Sequence, residues 1–119
     1  MKPHLHAKTS VKKWGGEIAD YLDIHEFMDS SKAHVADMRH RLILHSSFGI
    51  YIAQQVFGLT RTNSAGRLYA VRDIAEGHVL EDLGTIPSVE RWLANVPIDS
   101  LPAFVGGPRQ VRRETFRID

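Results

Sequence analysis

Apolar residues recur at helical intervals along most of this chain, and turn-forming residues cut it into short segments. From Asp20 to Asp29, Tyr21, Ile24, Phe27 and Met28 line one side and predict a short helix. Ser30 or Ser31 can cap a second helix running through Lys32 to about His45. A further run from Phe48 to Phe57 is closed by Gly58; whether it continues its predecessor or kinks at Ser46, Ser47 and Gly49 stays open. Residues 1–16 carry little apolar periodicity and end in Gly15-Gly16, a loop signal. Asn63-Ser-Ala-Gly66, set between short runs from Thr60 to Tyr69, fits a hairpin. Asp73 is placed to cap a helix over Ile74 to Leu83, with Gly84 as its stop. Ile86-Pro87-Ser88 introduces a last helix from Val89 to Asn95, and Pro97, Pro102, Gly106, Gly107 and Pro108 make the remainder irregular. The expected fold is mainly α: a small bundle of four to five helices with a short β-hairpin and an irregular C-terminal tail. Leu42, Ile50, Ile52, Val56, Phe57, Leu80, Leu83, Trp92 and Leu93 are its expected core.

A length of 119 residues sets one domain, 1–119, with its core in about 10–96 and the tail in 97–119. The apolar share of 43% is ordinary for a globular protein, and no apolar run approaches the ~20 residues that span a bilayer. Met1-Lys-Pro-His-Leu-His6 lacks the apolar stretch of a signal peptide, so a cytoplasmic setting and no membrane partner are expected. The absence of cysteine removes disulfides, thiolate metal sites and thiol catalysis together. A net charge of +1 does not announce a nucleic-acid binder. Locally, Arg109, Arg112, Arg113 and Arg117 in the tail, and Lys8, Lys12 and Lys13 near the start, can meet phosphate groups or a macromolecular partner. A solvated surface and frayed terminus explain the tail more simply.

The chain holds seven histidines, and their spacing changes the picture. At about 100° per residue, His34, Asp37, Arg41 and His45 fall on one stripe of the expected 32–45 helix. His40 lies off the stripe beside Asp37, and His25 stands just upstream. On the later helix His78 and Asp82 are four apart, with Glu81 next to them. Imidazole and carboxylate are the usual ligands of zinc, iron, nickel or manganese. Two helices each offering a His–carboxylate pair can close a divalent metal site, mononuclear or, with further ligands, dinuclear. Asp37, His45, His78 and Asp82 are the expected ligands, with His25 and His34 as second choices. A plainer explanation is a helix surface on which Asp37 pairs with Arg41. His4 and His6 share a face if their segment is extended, and Ser10 and Lys13 follow His6 closely.

Other motifs fall short. Gly15-Gly16 lacks the length and the following Lys-Ser/Thr of a phosphate loop, and no serine sits in a Gly-x-Ser-x-Gly elbow. Trp14, Phe27, Phe48, Phe57 and Trp92 read as core anchors rather than a base-stacking platform.

Several segments carry a resemblance: Ser10-Val-Lys-Lys-Trp-Gly-Gly16, Ile24-His-Glu-Phe27, Ser31-Lys-Ala33, Asp37-Met-Arg-His-Arg41, His45, Gly49-Ile50, His78-Val-Leu-Glu81-Asp82-Leu-Gly84 and Ile86-Pro87. From about Ser10 to Val96 the chain resembles a family of short bacterial and phage proteins of unassigned function, which transfers no activity. Arg41-Leu-Ile-Leu-His45-Ser46 is also similar to the first metal helix of the HD-domain phosphohydrolases. Where that family carries its His-Asp doublet this chain has Glu81-Asp82, with His78 one turn earlier to supply the histidine.

Two functions remain open. One is a metal-dependent hydrolase acting on a phosphate ester or nucleotide, with Glu81 or His40 managing protons and Arg39, Arg41 or Lys32 holding negative charge. The other is a non-enzymatic binding protein in which the His, Asp and Arg groups form a structural polar network. The oligomeric state is not legible.

Overall fold

Pro3 opens the first helix, its fixed φ and missing N–H suiting the first helical position. A computed structural model of the chain describes residues 1–98. In it α1 spans Pro3–Trp14, α2 Leu22–Met28, α3 Arg41–Leu44, α4 Ser47–Phe57, α5 Val71–Leu83 and α6 Val89–Leu93. Short 3-10 turns cover Ile18–Asp20, Ser30–Ala33 and Met38–His40. Strands β1 (Thr60–Thr62) and β2 (Leu68–Ala70) pair antiparallel, with Arg61 opposite Tyr69. The fold is mainly α, as the periodicity predicts. The arginines of the basic tail, Arg109, Arg112, Arg113 and Arg117, lie outside the described residues.

The segment that lacked periodicity is a helix. Along α1, His6, Ala7 and Ser10 are buried while Val11 and Trp14 pack against the core. Those positions follow the 3.6-residue repeat, but two of the buried side chains are polar, so a hydrophobicity pattern passes over them. Lys12 and Lys13 suit the C-terminal end of the dipole, and Gly15, at φ +80°, ends the helix.

The expected helix from Lys32 to His45 is the main correction. Residues 34–37 are not helical, and only Arg41–Leu44 forms an α-helical turn. Asp37 is extended and its carboxylate accepts from the Arg39 N–H, so it starts a 3-10 turn instead of continuing a helix. Buried Ser31 donates to the His40 carbonyl at 2.9 Å and folds this stretch back on itself. The break before α4 falls at His45-Ser46: Ser46 caps α4 by accepting from the Gly49 N–H at 3.1 Å. A Cβ at Gly49 would overlap the Leu44 carbonyl, so this corner requires glycine.

Helices α1, α2, α4 and α5 pack together around Ala7, Tyr21, Ile24, Met28, Ile50, Ala53, Val71, Ile74, Ala75 and Val79, with Tyr69 of β2 alongside. The expected core is corrected accordingly. Ile50 is buried and Leu42, Ile52, Phe57, Leu83 and Trp92 are half-buried, whereas Val56, Leu80 and Leu93 are exposed. The hairpin is tied down by Asn63, whose amide donates to the Trp14 carbonyl and the Tyr21 hydroxyl. No helix among the described residues is long and apolar enough to cross a membrane.

Candidate metal centre

Three helical stripes carry their polar members to one end of the bundle. On α2, Tyr21, Ile24, His25, Met28 and Asp29 are buried in sequence, at intervals of three, one, three and one. On α5, Val71, Ile74, Ala75, His78 and Val79 repeat that spacing, and the Asp82 side chain, 3% exposed, extends it. In both stripes the apolar residues come first and a His-x-x-x-Asp pair comes last. His6 of α1 joins the same cluster. His40, just before α3, and His45, just after it, complete the cluster, and the Trp92 indole N–H holds the His45 carbonyl at 2.9 Å. Five of the seven histidines are therefore buried, and all five belong to this cluster.

Two carboxylates organise it. Asp82 Oδ2 accepts from His45 Nε2 at 2.8 Å and lies 3.4 Å from His78 Nε2, while its Oδ1 is 3.1 Å from His6 Nε2. Asp29 Oδ1 is 3.2 Å from His78 Nε2, 3.6 Å from His40 Nε2 and 3.7 Å from His45 Nε2. Thus Nε2 of His6, His40, His45 and His78 each face one or both of Asp29 and Asp82. One donor atom from each of Asp29, His45, His78 and Asp82 lies within 4.8 Å of the others. A cleft of about 340 Å³ opens beside them, lined by Asp29, Lys32, Asp37, His40, Arg41 and Asp82.

The other side of His6, His40 and His78 is also held, whereas His45 Nδ1 is buried with no hydrogen-bond partner among the described residues. His6 Nδ1 donates to Glu81 Oε1 at 3.2 Å, and Thr9 fixes that carboxylate through Oε2. His40 Nδ1 donates to the Asp37 carbonyl at 2.8 Å. His78 Nδ1 meets His25 Nδ1 at 2.9 Å, and His25 Nε2 meets the Ser10 hydroxyl at 2.9 Å. Rings fixed through Nδ1 with Nε2 facing oxygen are the arrangement by which proteins present histidine to metals.

Burial and hydrogen bonding set the charges of the cluster. Burial pushes the His45 imidazole down to about 4, although Asp82 pulls the other way, and it pushes His25 down to about 3. Burial and the facing His78 lower His6 as well. Burial alone would raise Asp29, yet its hydrogen bond with His78 and the nearby Lys32 and His45 outweigh this and hold it at about 2. Asp82 is lowered in the same way, with His45 leading against burial. Near neutral pH two ionised carboxylates therefore face His6 and His45 rings that burial keeps neutral. A neutral His6 has one proton for two carboxylates, so a proton given to Glu81 leaves the Nε2 lone pair against Asp82. His6 Nε2, His40 Nε2 and Asp29 Oδ2 are buried with no hydrogen-bond partner among the described residues. A divalent ion among Asp29, His45, His78 and Asp82 would balance the two carboxylates, so the donor set could hold a metal.

His45, His78 and Asp82 come together, His78 and Asp82 from one face of α5 and His45 from the corner after α3. Asp37 does not join them: its side chain is 54% exposed, pairs with Arg39 at 2.7 Å and reaches only the rim of the cleft. His34 is exposed, because the helix that would have carried it inward is absent. His25 is buried within the cluster but faces His78 and Ser10 rather than the carboxylates. Glu81 holds His6 from outside, Arg41 borders the cleft with its Nε buried and unpartnered among the described residues, and His40 faces Asp29. Asp29 and His6 were missed. For Asp29 a signal existed, since His25-Glu-Phe-Met-Asp29 repeats the spacing of His78-Val-Leu-Glu-Asp82.

Comparison with known proteins gives a family without an activity. No curated protein matches the chain, and no solved structure does. A profile described as a domain of unknown function (DUF6915) matches residues 1–101, and the chain belongs to that family.

Proposed function

We propose that this protein binds a divalent metal ion through Asp29, His45, His78 and Asp82, and hydrolyses a phosphate-bearing small molecule beside it. The observation that carries the reading is the convergence of these four side chains within 4.8 Å at a cleft of about 340 Å³. Zinc, manganese, iron and nickel all accept nitrogen and oxygen donors of this kind. Bound there, such an ion supplies Lewis acidity and activates water. The chain's own residues do the rest. Lys32 and Arg41 border the cleft and offer positive charge to an anionic substrate, and the unpartnered Arg41 Nε is available to donate. His40 lines the same opening and would carry a proton through Nε2, which has no hydrogen-bond partner among the described residues. The HD-type likeness of Arg41-Leu-Ile-Leu-His45-Ser46 supports the reading, since His45 is in the cluster and Asp82 supplies the aspartate of the doublet position.

The test is metal analysis of protein purified without a histidine tag, paired with phosphate-ester hydrolysis. Stoichiometric metal is expected, with activity lost to a chelator and restored by added divalent ion. Asp82→Asn should weaken metal affinity and activity together. Activity that survives complete metal removal would sink the proposal.

A second reading, a non-enzymatic interaction protein, draws on one separate observation. The outer side of α4 exposes Phe48, Tyr51 and Val56, with the first two rings stacked 6.1 Å apart. No stoichiometric metal in the purified protein would favour it.

A further inference from the structure

His25 is fully buried, touches the centre, and makes neither of its ring contacts with a carboxylate. Its Nδ1 lies 2.9 Å from His78 Nδ1 and its Nε2 lies 2.9 Å from the Ser10 hydroxyl, which in turn reaches the His6 carbonyl at 3.3 Å. Two ring nitrogens at hydrogen-bond distance share one proton, so their contact has a direction. The direction decides which nitrogen of His78 carries its proton, and with it whether Nε2 faces Asp29 and Asp82 as an N–H or as a lone pair.

We infer that His25, backed by Ser10, is the positioning residue that fixes the tautomer of His78 and makes its Nε2 a metal ligand. This rests on the metal centre proposed above and goes beyond it by giving the innermost histidine a role other than ligation. In the metal-free chain His78 Nε2–H donates to Asp29, His25 Nδ1–H donates to His78 Nδ1, and the Ser10 O–H donates to His25 Nε2. With a cation at the carboxylates the chain of donors runs the other way. His78 Nδ1–H donates to His25 Nδ1, His25 Nε2–H donates to Ser10 Oγ, and the Ser10 O–H turns to the His6 carbonyl. Each ring holds one proton before and after, so the pair releases none on balance. Both directions leave every polar atom in the chain satisfied, which an apolar residue in place of His25 could not do.

The ring geometry serves the same end. His78 packs against three imidazoles, its centroid 3.9 Å from that of His6, 5.0 Å from that of His45 and 5.2 Å from that of His25, so it has little freedom to turn. Orientation is thus set by packing and protonation by His25. Outer partners of ligating histidines typically change metal affinity by about 10–100-fold when removed.

The test uses the full chain and titrates it with Zn²⁺ or Co²⁺ by calorimetry, as the unaltered protein and as His25→Leu, His25→Asn and Ser10→Ala. His25→Leu should lose affinity by about 10–100-fold. Asn carries its amide oxygen near the place of Nδ1, so His25→Asn should recover most of that loss, and Ser10→Ala should show a smaller one. Long-range ¹⁵N–¹H spectra of the unaltered protein with Zn²⁺ give a readout that does not depend on any variant folding. They should show His78 protonated at Nδ1 and coordinated at Nε2. Coordination through Nδ1, or equal affinity in the Leu and Asn variants, would overturn the role of His25 and leave the metal centre standing. An unaltered chain that binds neither ion would overturn both.

Discussion

His6 carries a carboxylate on either side of its ring, and the two are not equivalent. Glu81 is half-buried, is held by Thr9 at 3.0 Å and takes the Nδ1 proton, while Asp82 is almost fully buried and faces the other nitrogen. A proton-handling role for Glu81 was expected from its position beside Asp82; its contacts make it a holder of His6. Glu81→Ala should therefore loosen His6 beside Asp82 and lower metal affinity, by less than removal of a ligand's own partner, with the fold retained, because the position lies at the edge of the cluster. Calorimetric titration with Zn²⁺ checks this. Turnover lost at unchanged affinity would return Glu81 to the proton-handling role. Asp37 teaches the converse lesson. Its expected partners depended on a helix, and without one the extended backbone at Asp37 and the turn after it bring Arg39, two residues away, to its carboxylate at 2.7 Å.

At the scale of elements, the end of α5 and the start of α6 were legible because the residues that set them are local; the expected Asp73 cap is corrected, since α5 starts at Val71 after Ala70 with no side-chain cap and Asp73 lies in its first turn. Gly84 takes φ +73° at the end of α5, and Ser88 accepts from the Arg91 N–H at 3.0 Å to begin α6. The hairpin was legible from Asn63 and Gly66 for the same reason. Helix α1 was not, since its buried stripe includes His6 and Ser10, and polar residues on a buried face erase the contrast that reveals amphipathicity. The α3–α4 corner was left open by the sequence, and the contact that settles it is between Gly49 and the Leu44 carbonyl. Gly49→Ala should destabilise the protein by about 3 kcal/mol or more, because backbone on one side cannot move away as a side chain could. Urea unfolding measures this. A loss under ~1 kcal/mol would mean that the corner opens easily. In the core proper, Ile74→Ala should cost about 2–5 kcal/mol.

For the whole molecule, the cluster makes stability depend on acid and on metal. His25 and His45 have folded-state values of about 3 and about 4, below the ordinary 6.5. Below pH 6.5 the unfolded chain takes up protons that the folded chain refuses, so stability falls as pH drops towards those values. Each histidine contributes at most about 1.4 kcal/mol per pH unit across that window. Asp29, held at about 2 against an ordinary 3.8, loses its own contribution as pH falls between those two values, in the same direction. Thermal melts of metal-free protein should decline from about pH 6.5 downwards, and a flat profile between pH 6.5 and 4 would contradict the burial of these rings. Added Zn²⁺ should raise the melting temperature at neutral pH. Saturation at a thousandfold over Kd corresponds to about 4 kcal/mol, and chelation should reverse it.

The sequence by itself determined what depends on neighbours within a few residues. It set the helical class, the hairpin, the end of α5, the start of α6, and the pairing of His78 with Asp82 on one face. The absence of cysteine limited any metal site to nitrogen and oxygen ligands. Tertiary structure decided which histidines share that site. Periodicity relates residues only within one unbroken element, and the cluster takes His6 from α1, Asp29 from the end of α2, His45 from a corner and two residues from α5. Whether 32–45 formed one helix or several turns was itself a tertiary matter, settled by Ser31 reaching the His40 carbonyl and Asp37 capping a turn. That break turned His34 and Asp37 outward. It left Asp29, four residues beyond His25, as the carboxylate that the packing of α2 against α5 brings to His78.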